Sequence, residues 1–169
     1  HIHRYKSLDD IYSIPTINIS SATVIAEWIN SNKINGVVIG PDQESETWVK
    51  KIANHCNLPY QILTKNRISD TNVVISPPNV KLLQNRTPIL VDDIISTAHT
   101  MMETIKHLKS MNTKPPICIG VHALFIKNAY QELLNSGLDR LITLDTIPNP
   151  ATTISARFEL AKAADIFAS

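Results

Sequence analysis

Two adjacent carboxylates, Asp92 and Asp93, close the apolar run Pro-Ile-Leu-Val (88–91), and hydroxyl side chains follow at once in Ser96, Thr97 and Thr100. A four-residue apolar run bounded by polar residues reads as a buried parallel strand. The Met101, Met102, Ile105, Leu108 spacing beyond it reads as a helix. Ligands of open parallel sheets bind beyond the carboxyl ends of strands, where this doublet falls. Neighbouring anions repel, so a cation or several hydroxyl donors must offset them, and ribose hydroxyls and Mg²⁺ both meet that demand. The N–H groups of the helix start, with Ser96, Thr97 and Thr100 opening it, favour an anion such as phosphate. A sugar phosphate would satisfy both halves: hydroxyls on Asp92 and Asp93, phosphate on the residues from Ser96 through Ala98 and His99 to Thr100. The competing reading is that Asp93 or Thr97 simply caps the helix.

The elements that must position these residues alternate along the chain. Gly36–Gly40 is a short apolar strand, and 45–57 a helix with Trp48, Val49, Ile52, Ala53 and Cys56 on one face. Residues 59–63 and 72–76 read as strands, 64–71 as a polar loop and 77–87 as a Pro- and Asn-rich turn. A long strand follows over 116–125. A helix over 128–137 is stopped by Gly137, a strand runs over 140–144, and a last amphipathic helix covers 154–168. Residues 24–29 look helical, whereas 1–20 have no clear period. This βαβ rhythm predicts an α/β fold with a mostly parallel twisted sheet flanked by helices on both faces.

The totals narrow the function. With 43% hydrophobic and 18% charged residues the chain suits a globular core, and a net charge of +1 gives no electrostatic case for nucleic acid or a membrane surface. No apolar run reaches the ~18 residues of a spanning helix. Cys56 and Cys118 sit inside apolar patterns and read as buried thiols of a reducing, cytoplasmic compartment. Only four glycines occur, far below the average of about 7%, which is unusual for backbone that cradles phosphates. Of the histidines, His55 and His107 lie on helix faces and read as surface residues. His122 stands at a strand exit, where a structural role and a ligand role are both open.

Val-Asp-Asp-Ile-Ile-Ser-Thr-Ala-His-Thr (91–100) resembles the phosphoribosyl-pyrophosphate loop of the type I phosphoribosyltransferase fold, with Asp92, Asp93, Thr97 and Thr100 matching. The remaining motifs, in order, resemble ribose-phosphate pyrophosphokinase (PRPP synthetase). Pro41 and Asp42 match its Pro-Asp-x-Gly-Gly turn. Lys65 and Arg67 match the Lys-x-Arg of its catalytic loop, and His122 its Thr-His-Gly segment. Residues 144–148 match its Thr-Asn/Asp-Thr-Ile-Pro signature, and His3 its nucleotide- and metal-side histidine. The resemblance implies transfer of pyrophosphate from Mg-ATP to ribose 5-phosphate, giving PRPP and AMP for nucleotide biosynthesis. It implies Mg²⁺ held by Asp42, Asp92 and His3, Asp42 and His3 on the pyrophosphate and ATP side, and Lys65 and Arg67 stabilising the transferred group. It also implies a homo-oligomer. Residues 1–35 would end the N-terminal half of a longer protein and connect it to a C-terminal domain over 36–169, a fragment inactive alone. Asp42 has a second reading as a helix cap, Lys65 and Arg67 as a solvated pair, and His3 as a flexible end.

The chain departs from that pattern where chemistry is expected. Glu44 and Ser45 replace two glycines, Ser96 replaces an aspartate and His99 a glycine. A solvated carboxylate beside polyphosphate costs about 1 kcal/mol, and more when buried. The alternative function is therefore a catalytically weakened homologue that binds sugar phosphate or nucleotide and regulates an active partner.

Overall fold

The structure, a computed structural model, describes residue 5, residues 7–67 and residues 73–168, with backbone alone for 65–67, 73, 74 and 168. In chain order the elements are α1 (Ser21–Ser31), β1 (Gly36–Gly40), α2 (Glu46–Cys56), β2 (Tyr60–Ile62), β3 (Lys65–Arg67), β4 (Val73–Ile75), α3 (Val80–Leu83), β5 (Thr87–Ile95), α4 (His99–Ser110), β6 (Ile117–Ala123), α5 (Ala129–Asn135), β7 (Arg140–Leu144), β8 (Thr152–Ile154) and α6 (Arg157–Ala168). A 3₁₀ turn, Gln43–Ser45, links β1 to α2.

Six strands form one sheet in the order β2-β1-β5-β6-β7-β8, and every neighbouring pair is parallel. Period-two alternation sorts the strand side chains onto two faces. Val38, Ile89, Val91, Ile117, Ile119 and Ile142 pack with Ile25 and Ile29 of α1 and Val49 and Ile52 of α2. Val37, Ile39, Leu90, Cys118 and Leu141 pack with Met101, Ile105 and Leu108 of α4, Leu133 of α5 and Leu83 of α3. Fully burying each such aliphatic side chain contributes about 1.5–3 kcal/mol. The expected α/β sheet with helices on both faces is therefore present.

Four local expectations need correction. Residues 65–67 form a strand, paired antiparallel with β4 in a separate two-stranded ribbon, because main-chain pairing tolerates polar side chains. The 77–87 segment contains the one-turn helix α3, whose Asn79 accepts from Lys81 N–H at 3.1 Å. The final helix starts at Arg157, since Thr152–Ile154 instead pairs with β7. The fourth concerns β5, which runs to Ile95, so Asp92 and Asp93 lie inside a strand rather than beyond it. Both cysteines are free, Cys118 buried and Cys56 partly exposed. Burial pushes both thiols up.

Gly36 shows how closely β1 and β5 approach: a Cβ there would lie 2.6 Å from the Thr87 carbonyl oxygen and 2.6 Å from Ile89 Cδ1. Backbone cannot rotate away, so Gly36→Ala must push the two central strands apart. The expected loss is about 1–3 kcal/mol in a denaturant melt; an unchanged midpoint would contradict the close β1–β5 contact.

Candidate functional site

The sheet places a crevice at the acidic doublet. From β1 the chain proceeds outward to β2 on one side, and from β5 outward to β6, β7 and β8 on the other. The order reverses between β1 and β5, the position at which open α/β sheets bind ligands. Pairing of β5 with β1 ends at Ile39–Leu90, whereas pairing with β6 continues to Ile95–Ala123. The last turn of β5 thus borders a gap, and the gap holds Asp92 and Asp93. Leu90 and Ile95 belong to the same face of the core although five residues separate them. Strict alternation would put them on opposite faces. The slip across the aspartates lets both acids border one crevice.

One cavity of about 220 Å³ is lined by Asp42, Asp92, Asp93, Ile94, Ile95 and all of Ser96 through Met101. A second, of about 240 Å³, continues past Asp42, Asp92, Asp93 and Ile94 to Glu44, Ser45 and Trp48. The first brings together Asp42, Asp92, Asp93, Ser96, Thr97, Ala98, His99 and Thr100, eight of the expected site residues. Lys65 and Arg67 have their backbone in β3, and their side chains lie outside the described residues, as does His3.

The carboxylates are held by backbone. Asp92 Oδ1 accepts from Asp93 N–H at 3.0 Å and Asp93 Oδ1 from Ile94 N–H at 2.7 Å. Asp92 is partly buried. Loss of solvent first, then the charges of Asp93 and Asp42, push its carboxyl from 3.8 up to about 7. Neither aspartate caps α4. The helix begins at His99 behind Ala98, which takes a left-handed φ of 59° and makes no side-chain cap. Ser96 and Thr97 therefore lie in the connecting loop rather than in the helix; Thr100 alone of the three hydroxyl residues is helical.

Asp42 caps the 3₁₀ turn Gln43–Ser45 and not α2, whose own N-cap, Ser45, makes no side-chain cap bond. Asp42 Oδ1 accepts from Ser45 N–H at 3.2 Å, and Ser45 Oγ donates to the Asp42 carbonyl at 2.5 Å. Ser45 is buried and its Oγ occupies the space a Cβ on Gly40 would enter, 2.1 Å away. The turn that resembles a Pro-Asp-x-Gly-Gly anion loop is thus closed on itself.

His122 anchors the neighbouring strand end. Thr146 Oγ1 donates its single proton to the Val121 carbonyl at 2.6 Å, so it accepts from Nδ1–H of His122 at 3.0 Å. Its imidazole, with Trp48, Lys51 and Ile147, lines a wider groove of about 1060 Å³ that also reaches Asp93. Sequence reasoning placed Trp48 on the core face of its helix and missed its second surface; adjacency of α2 to the β1 turn was the available signal. His55 is exposed, its Nδ1 2.7 Å from the Lys51 carbonyl oxygen. Asp145, another residue of the terminal motif, accepts from Ala156 N–H at 2.9 Å and Ser155 Oγ at 2.5 Å. These bonds lower its pKa and fix the β8–α6 junction.

Among the described residues no three His, Cys, Asp or Glu side chains form a group able to hold a metal ion. The donor set still suits a hard cation that takes one or two carboxylates and completes its shell with water and substrate oxygens, as Mg²⁺ does.

The sequence profile of the phosphoribosyl transferase domain matches residues 7–157. The chain belongs to that family. It is 32% identical over 157 residues to the ribose-phosphate pyrophosphokinase of Methanopyrus kandleri, covering 91% of this chain and 53% of that protein. To the ribose-phosphate pyrophosphokinase of Sulfolobus acidocaldarius it is 35% identical over 133 residues, 78% of this chain and 45% of that one. The chain spans about half the length of the curated relatives it matches. Its fold is that of phosphoribosylpyrophosphate synthetase from Mycobacterium smegmatis, with a TM-score of 0.79 over 99% of this chain and 57% of that one at 20% identity. The resemblance read from the motifs is borne out by these names and this fold. No helix among the described residues is long and apolar enough to cross a membrane.

The raised Asp92 pKa has a stability consequence. The folded state keeps a proton that the unfolded chain loses near 3.8, so the associated stability is present below that pH and is lost as pH rises through about 7. The loss is at most roughly 4 kcal/mol, at 1.36 kcal/mol per pH unit. Asp92→Asn cannot ionise. Its Tm should match wild type near pH 4 and exceed it by several degrees near pH 8; a Tm difference that stays constant across this window would contradict the assignment.

Proposed function

We propose that this chain binds ribose 5-phosphate in the β1–β5 crevice and takes part in pyrophosphate transfer from Mg-ATP to the sugar, giving PRPP and AMP for nucleotide biosynthesis. The observation that carries the reading is the convergence, at the switch point of the sheet, of Asp92 and Asp93 with the 96–100 loop and helix start. The names of the curated relatives support the same reaction.

In this scheme Asp92 and Asp93 accept from ribose hydroxyls, each carboxylate oriented by the backbone N–H of the residue that follows it. Thr97, Thr100 and backbone N–H groups of Ser96, Ala98 and His99 receive the 5-phosphate. Lys65 and Arg67 stabilise the charge of the transferred group, and the alignment of attacking and leaving oxygens does the rest. Asp42, Asp92 and His3 would hold Mg²⁺, which when bound neutralises phosphoryl charge. The working protein would be a cytoplasmic homo-oligomer.

A second reading has its own support. The Asp42–Ser45 turn is closed by hydrogen bonds through both side chains, and Glu44 lines the adjoining cavity. Polyphosphate meets a carboxylate there instead of open backbone. This favours a homologue that holds the sugar phosphate without turning it over and acts on a partner subunit.

Titration calorimetry with ribose 5-phosphate and Mg²⁺ should show binding that Asp93→Asn weakens by about ten- to a hundredfold, the loss of one charged hydrogen-bond acceptor. Assayed on the full-length protein, AMP formed from Mg-ATP and ribose 5-phosphate supports the enzyme. Binding without AMP supports the second reading, and Glu44→Gly should then raise turnover. Absence of sugar-phosphate binding contradicts both.

A further inference from the structure

We infer that His99 reads the phosphate end of the ligand in this crevice and makes its affinity depend on pH, an inference that rests on the sugar-phosphate reading above. Among the described residues lining the 220 Å³ cavity, three carry carboxylates and none is Lys or Arg; His99 is the sole basic side chain. A phosphate entering there meets Asp42, Asp92 and Asp93, and among the described lining residues His99 alone carries a group able to oppose them.

His99 is well placed for that task. It is the first residue of α4, beside the loop whose Ala98 makes no side-chain cap. The left-handed backbone conformation falls on Ala98 and not on His99, so a side chain at 99 adds no backbone strain. The imidazole is exposed, able to follow a ligand. Among the described residues, the cavity it lines carries the carboxylates of Asp42 from the β1 turn and of Asp92 and Asp93 from β5, and Glu103 follows one turn along α4, itself 3.9 Å from Lys106. Histidine is the side chain whose charge changes between pH 5 and 8. The glycine of the resembling pattern offers backbone approach at every pH, whereas His99 exchanges this for a charge present only when protonated.

The test is calorimetric, with ribose 5-phosphate and, as control, ribose, at pH 6 and pH 8. The ligand's own phosphate titrates near pH 6, and Asp92, pushed up to about 7, titrates in the same range. The measured quantity is therefore the ratio of Kd at pH 8 to Kd at pH 6 in wild type, divided by the same ratio in His99→Gln. We expect about fivefold or more for ribose 5-phosphate, the effect of one charge pair across solvent, and unity for ribose. In His99→Lys, charged at both pH values, the pH 8 to pH 6 ratio should fall to that of His99→Gln. Equal ratios in wild type and His99→Gln, with ribose 5-phosphate still bound, would overturn the role of His99 and leave the crevice reading intact. No binding of ribose 5-phosphate by either protein at either pH would remove the crevice reading, and this inference with it.

Discussion

Like charge crowded into a partly dry crevice is the constraint on which the rest of this structure turns. Asp42, Asp92 and Asp93 reach the same space from the ends of two adjacent strands. Desolvation first, and then the charges of Asp93 and Asp42, move Asp92 to about 7. A protein gains no stability from such a cluster. The proposed cation-bound sugar phosphate would bring it both compensating charge and several hydroxyl donors. The same constraint underlies the proposed role of His99, the sole basic side chain among the described residues that line this space.

The fold creates the crevice by ending one strand early. β1 stops at Gly40 while β5 continues alongside β6, so the far end of β5 keeps one hydrogen-bonded neighbour and opens its other edge. Ile95 folds over Gly120 of β6, where a Cβ would sit 2.4 Å from Ile95 Cδ1. That contact secures the outer end of β5 just past the acids. α4 is anchored by Met101, Ile105 and Leu108 in the core beneath. Its first turn is therefore set against the same opening, and rigid elements on both sides define a small volume.

Much of this was legible in the residues. The apolar runs at 36–40, 88–91 and 140–144 needed only burial on both faces to be strands, and the helical spacings of Ile52 and Ile105 fixed which faces pack. The doublet and the hydroxyls after it indicated a site because no core needs them there. What stayed hidden depends on pairing. Lys65–Arg67 is a strand through main-chain bonds to β4, and Thr152–Ile154 through bonds to β7; neither has an apolar pattern to announce it. The extension of β5 through Asp92 was hidden for the same reason. Nor could the sequence show that Ser45 locks onto Asp42, since a serine in a turn is compatible with an open loop as well as a closed one.

The most direct measurement is a crystal structure of the chain soaked with ribose 5-phosphate and Mg²⁺. The account predicts the phosphate at the backbone amides of residues 96–100 beside His99, with ribose hydroxyls within hydrogen-bonding distance of Asp92 and Asp93. Sugar density elsewhere on the surface, or an empty β1–β5 crevice at saturating ligand, would contradict it.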